Sequence, residues 1–165
     1  MMTESIEPVS LDTFAETNAA FCALILAVYV SAYTNTAKRP MSITLLPLAL
    51  PLVMSGGLEH SFSHLTEDST LTRWLSRTPQ VLFGLAARVQ AGLETTRESL
   101  QFALHHHVLE MDDHALMHYV YSADADKQLR KLGFARISSN AQKLGAWIGA
   151  LASDAVAYNL LGLEV

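Results

Sequence analysis

The chain has 165 residues, half of them apolar and 16% charged, with a formal net charge of -5. That length fits one domain with a sizeable core, and the apolar share excludes disorder as the main state. The acidic balance argues against a protein that grips nucleic acid over its whole surface, and the single cysteine, Cys22, excludes an internal disulfide.

The segment from Met1 to Asp12 is acidic and lacks the basic start of a secretory signal, and residues 1–15 are expected to be flexible. A lone cysteine suits a reducing compartment, so a cytoplasmic location is expected. Cys22 lies in an apolar run and reads as a small buried side chain rather than a nucleophile. No charged residue lies between Glu16 and Lys38, nor between Arg39 and Glu59. Two such stretches raise the question of a membrane hairpin. The first ends in Ser31, Thr34, Asn35 and Thr36, and the second carries Pro47 and Pro51. Buried core helices are therefore the preferred reading, with no membrane association.

The first helix is expected from Asn18, as N-cap, to Tyr33, with Lys38-Arg39-Pro40 as the turn after it. A second apolar segment follows, kinked at Pro47 and Pro51 and ended by Gly56-Gly57. Thr78-Pro79 is a helix start, and Val81, Leu82, Leu85, Ala86 and Val89 recur at helical spacing until Gly92. Thr95 to Glu98 has the form of a capping box that opens another helix, with Leu100, Ala103 and Leu104 on its core face. A turn at Ala91–Glu94 between the two gives a helix-turn-helix pattern.

The stretch LHHHVLEMDDHALMH, residues 104–118, admits two readings. If a helix runs through it, His107, Glu110, His114 and His118 form one stripe able to hold zinc or a di-metal centre. If the helix ends near His107, Val108 to Met111 is a strand, Asp112-Asp113-His114 a turn and Ala115 to Tyr121 a second strand. Met117 to Tyr121 is rich in β-formers, and adjacent aspartates favour turns, so the hairpin is preferred and the stripe dissolves. His105-His106-His107 then marks a helix end, with no assigned role.

The expected architecture is a mainly α, compact helical domain containing a winged-helix-like helix-turn-helix plus one β-hairpin. Residues 1–165 form a single domain, with 78–121 as the winged-helix-like part and 123–165 as C-terminal helices. The second helix of the pair offers Arg97 offset by Glu98, which is poor at neutralising phosphates. The outline therefore reads as a protein-docking module, with a winged-helix DNA-binding regulator as the alternative. Lys127, Arg130, Lys131, Arg136 and Lys143 make the C-terminal part the most basic. They form either a solvated helix face or a contact surface for an acidic partner. Ser153 is a credible cap for a last helix from Asp154 to Leu161, stopped by Gly162, and Trp147 and Tyr158 are expected in the core. No nucleophile elbow, P-loop, dinucleotide fingerprint or CxxC pair occurs, so neither an enzyme nor a cofactor is expected.

Several short signals in order resemble the small middle component of three-component ABC ATPase conflict systems of prokaryotes. They are Asn18-Ala19-Ala20-Phe21, Leu45 to Leu52, Arg88 with Thr95 to Leu100, Lys143-Leu144-Gly145-Ala146-Trp147-Ile148, and Leu160-Leu161-Gly162-Leu163. Together they span about Asn18 to Val165. The resemblance implies a non-enzymatic adaptor that couples an SMC- or Rad50-like ABC ATPase to an effector, often a nuclease, in defence against phages or plasmids. DNA would be reached through the complex. Arg88, Arg97, Lys131 and Lys143 are the candidate contact residues.

Overall fold

The structure is a computed structural model that describes residues 18–164, so the flexibility expected of residues 1–15 lies outside the described residues. Helix α1 (Ala19–Ala37) starts where Asn18 Oδ1 accepts the Phe21 N–H at 2.9 Å. Lys38, in the left-handed conformation, ends it by donating its N–H to the Thr34 carbonyl at 2.9 Å. The polar residues Thr34 to Thr36 lie in its last turn rather than beyond it, because that end reaches the surface. By length and composition α1 could cross a membrane, yet here Cys22, Ile25, Leu26, Tyr29 and Val30 are fully buried in the core.

Strand β1 (Met41–Ser42) leads into a 3-10 turn over Ile43–Leu48 and then the short helix α2 (Ala49–Val53). Pro51 falls in the first turn of α2, where a backbone N–H has no helical partner to lose. Helix α3 (Leu71–Arg77) is capped by Thr70, whose Oγ1 accepts from Arg73 N at 3.1 Å. Trp74 and Leu75 hold it to the core.

The next element corrects the expected helix-turn-helix. Pro79–Leu82 makes only a 3-10 turn, Gly84 takes the left-handed conformation, and helix α4 then runs unbroken from Leu85 to His105. The residues expected to form a turn, Ala91 to Glu94, are helical, as is the supposed capping box at Thr95 to Glu98. The reason lies in the spacing of Leu85, Val89, Gly92, Thr96, Ser99 and Ala103, alternately four and three residues apart. They form one inward face, made of small side chains from Gly92 onward, on which α1 and α2 pack. The winged-helix outline over 78–121 therefore keeps its hairpin and loses its helix pair.

That hairpin forms as expected. Strand β2 (Leu109–Met111) pairs antiparallel with β3 (Leu116–Tyr119), and β1 joins the other edge of β3. The resulting order, β1-β3-β2, adds a strand that the sequence did not announce. Helices α5 (Ala125–Lys131), α6 (Ala135–Gly149) and α7 (Asp154–Leu160) complete the chain. Ser153 Oγ accepts from Val156 N at the start of α7, and Gly162 follows its end with a positive φ.

Helix α1 is the centre of the core, with α6, α4 and α5 around it. The approach of α6 is closest at Gly145 and Gly149. A Cβ on Gly145 would overlap the Tyr29 carbonyl oxygen and lie 3.0 Å from Ala32 Cβ; one on Gly149 would lie 2.8 Å from the Tyr33 carbonyl oxygen. The α1–α4 contact is closed by small polar residues. Ser99 Oγ returns to the Thr95 carbonyl at 2.6 Å, while the buried Thr96 Oγ1 has no hydrogen-bond partner among the described residues. Leaving a hydroxyl unpaired costs about 1–3 kcal/mol, so the near-isosteric Thr96→Val should raise stability by about 1 kcal/mol in urea unfolding. A lower midpoint would show that the hydroxyl is paired in solution.

Candidate functional site

Two elements that the sequence left unconnected, α2 with its following loop and the first half of α4, face each other across a groove. Leu50, Pro51 and Met54 line one side, Ala91, Gly92 and Thr95 the other, and Phe83 stands at the rim. The enclosed volume is about 590 Å³. The two sides meet near Gly92, where an added Cβ would sit at ordinary contact distance, 3.4 Å, from Pro51 Cγ.

Arg88 lies in this groove, and its guanidinium ties the two sides together. Nη1 donates to the Pro51 carbonyl at 3.1 Å and to Ser55 Oγ, and Nη2 to the carbonyls of Val81 and Phe83, the latter at 3.3 Å. Burial lowers its pKa from the ordinary value, but a guanidinium keeps its charge in proteins. All four acceptors are neutral, and among the described residues no Asp or Glu lines the groove.

The other expected contact residues lie apart from it. Arg97, on the exposed face of α4, pairs with Glu94, and this pairing raises the Arg97 pKa and lowers that of Glu94. Lys131 is exposed at the end of α5. Lys143 turns inward, where Nζ donates to the Phe62 carbonyl at 3.1 Å and burial lowers its pKa. It belongs to a row on one face of α6. Asn140 Nδ2 donates to the Glu59 carbonyl at 3.0 Å, and Trp147 Nε1 to the Thr66 carbonyl at 2.8 Å. Arg130 pairs with Asp126 at 2.8 Å and Arg136 meets the His60 ring at 3.5 Å, so the basic run breaks up into separate contacts. Cys22, as expected, is buried, and burial pushes its thiol up to about 11.

The four residues of the metal reading are dispersed. His107 follows the end of α4 with a positive φ, Glu110 is in β2, His114 is in the turn and His118 is in β3. Among the described residues no three His, Cys, Asp or Glu side chains come together as a ligand set. The His106 ring packs on Phe102, 4.1 Å between centroids, and edge-on to His105.

Asp112 organises the hairpin turn instead. Its Oδ1 accepts the N–H groups of His114 at 2.9 Å and Leu116 at 3.1 Å, and its Oδ2 meets His118 Nε2 at 2.9 Å. The His118 hydrogen bond, and then that from Leu116, lowers the Asp112 pKa from 3.8. A carboxyl with a depressed folded pKa stabilises the fold above its unfolded pKa, and this stability is lost as pH falls through the folded value. The turn should therefore hold down to about pH 4 and loosen below it, seen as lower amide protection, relative to the free-peptide rate at each pH, at His114 and Leu116. Asp112→Ala should give the same loss of protection at pH 7; unchanged protection there would deny the carboxylate this role.

These features define a mainly helical protein in which Arg88, Asn140 and Lys143 brace the fold and an open groove lies beside Arg88. The sequence pattern of the ABC-three component (ABC-3C) system Middle Component 3 family matches residues 13–165, and the chain belongs to that family. No curated protein and no solved structure matches the chain. Members of this family are by description one component of a three-component ABC system, and so act with other proteins.

Proposed function

We propose that this chain is a non-enzymatic adaptor that couples an SMC- or Rad50-like ABC ATPase to an effector, often a nuclease, in cytoplasmic defence against phages or plasmids. Membership of the middle-component family across 13–165 carries this reading. Its physical support is the use of polar side chains. Arg88, Asn140, Lys143 and Trp147 all donate to main-chain carbonyls and hold segments of the fold together. The DNA-regulator alternative drew on a helix pair, and one continuous helix, Leu85–His105, stands in its place.

The test is co-expression with the ATPase and effector encoded beside it. A complex that survives gel filtration is expected, together with loss of protection against phage or plasmid when this gene alone is deleted. A chain that elutes monomeric and unbound, with protection intact after deletion, would reject the adaptor reading.

A further inference from the structure

The groove between α2 and α4 has apolar sides and one charge. Leu50, Pro51, Met54 and Phe83 supply the sides, and Arg88 supplies a guanidinium that no carboxylate among the described residues neutralises. The first turn of α4 beside it carries no acid, so the helix dipole adds to this charge instead of offsetting it. A lone cation among apolar side chains favours an anion brought in with apolar neighbours. The apolar surface also continues past the groove. Phe83 is 71% exposed and Leu82, next to it, 39%. A small molecule seated inside would touch Phe83 and leave Leu82 uncovered, whereas a chain laid across the groove would cover both.

We infer that this groove docks an acidic amphipathic segment of another protein of the system, with apolar side chains against Phe83 and Met54 and a carboxylate held near Arg88. This inference rests on the adaptor reading and names the chemistry of the partner surface it requires.

Arg88 braces the fold, so its own removal would not separate docking from folding. Ala91 is exposed on the α4 side of the groove and suits the purpose. The purified co-expressed partners are titrated with wild-type chain and with Ala91→Glu, Ala91→Lys, Phe83→Asp and Leu132→Glu. Leu132 is an exposed apolar residue outside the groove. Circular dichroism and thermal unfolding establish that each variant is folded. Ala91→Glu and Phe83→Asp should weaken binding about 10-fold or more, equivalent to about 1.4 kcal/mol. Ala91→Lys should bind as wild type or tighter, and Leu132→Glu should have no effect.

Wild-type affinity for Ala91→Glu would overturn the inference and leave the adaptor reading standing. Equal loss with Ala91→Glu and Ala91→Lys would overturn the acidic partner, since steric blocking would explain both. Tighter partner binding after removal of residues 1–17 would support it, since an acidic segment of the chain itself would then compete with the partner for the groove. A dimer of this chain abolished by Ala91→Glu would instead make a second copy the occupant. Absence of any complex with the wild-type chain would remove both the inference and the reading it rests on.

Discussion

Replacing Gly145 by alanine is expected to destabilise the protein by about 2 kcal/mol, although alanine is the better helix former. Helix propensity alone would favour the change by about 1 kcal/mol. Against this, the new methyl group would press on the Tyr29 carbonyl, Ala32 Cβ and the Tyr33 amide nitrogen. Two of those atoms are helix backbone and the third is a Cβ fixed directly to it, so none can swing aside and α1 and α6 would have to separate. Overpacking of this kind costs about 1–3 kcal/mol, with a backbone clash at the upper end. The paired control is Gly92→Ala. There the methyl group would meet only Pro51, at ordinary contact distance, and the propensity gain of about 1 kcal/mol should survive. The same substitution in two helices should thus move the urea midpoint in opposite directions. Equal shifts of the same sign would show that the α1–α6 approach does not limit side-chain size.

Trp147→Ala should have a larger effect, about 3–5 kcal/mol, the usual range for removing a large buried aromatic side chain. Trp147, Trp74 and Phe62 form one fully enclosed cluster, with ring centroids 4.5–5.6 Å apart. Trp147→Phe should cost less. It keeps part of the aromatic volume and loses the N–H donated to Thr66, leaving that carbonyl without its indole partner. Comparing the two separates packing from hydrogen bonding. Hydrogen exchange over residues 59–66 should rise in both, because α6 would lose one of the three side-chain donors that hold the main chain of this loop. If Trp147→Phe cost as much as Trp147→Ala, the hydrogen bond would dominate.

Elements whose ends carry explicit chemistry were legible in the sequence. Asn18 before an apolar run, Ser153 before α7 and the Asp112-Asp113 turn all act where they were expected. The mistaken turn in α4 came from the same kind of evidence. Gly92, Thr95 and Glu98 have turn and cap chemistry, but in the interior of a long helix small residues serve close packing. Sequence alone does not separate these uses, since what approaches Gly92 is Pro51, far away along the chain. The candidate groove was hidden for that reason. Arg88 was picked out, but its acceptors belong to residues 51–55 and 81–83, and only the fold brings them together. A signal for the α6 row did exist in the spacing of Asn140, Lys143 and Trp147 along one helical face. Reading Lys143 as a surface charge concealed it.

That row also bears on how this family can diverge. All three acceptors are main-chain carbonyls, which every amino acid carries, so α6 holds the 59–66 loop mainly by its backbone and meets its side chains at Phe62, against Trp147, and at His60, against Arg136. An exposed position such as Ser63 is then free to drift, while Asn140, Lys143 and Trp147 are not. Relatives facing different partners could recode that surface loop by point substitution alone, on a frame that need not change.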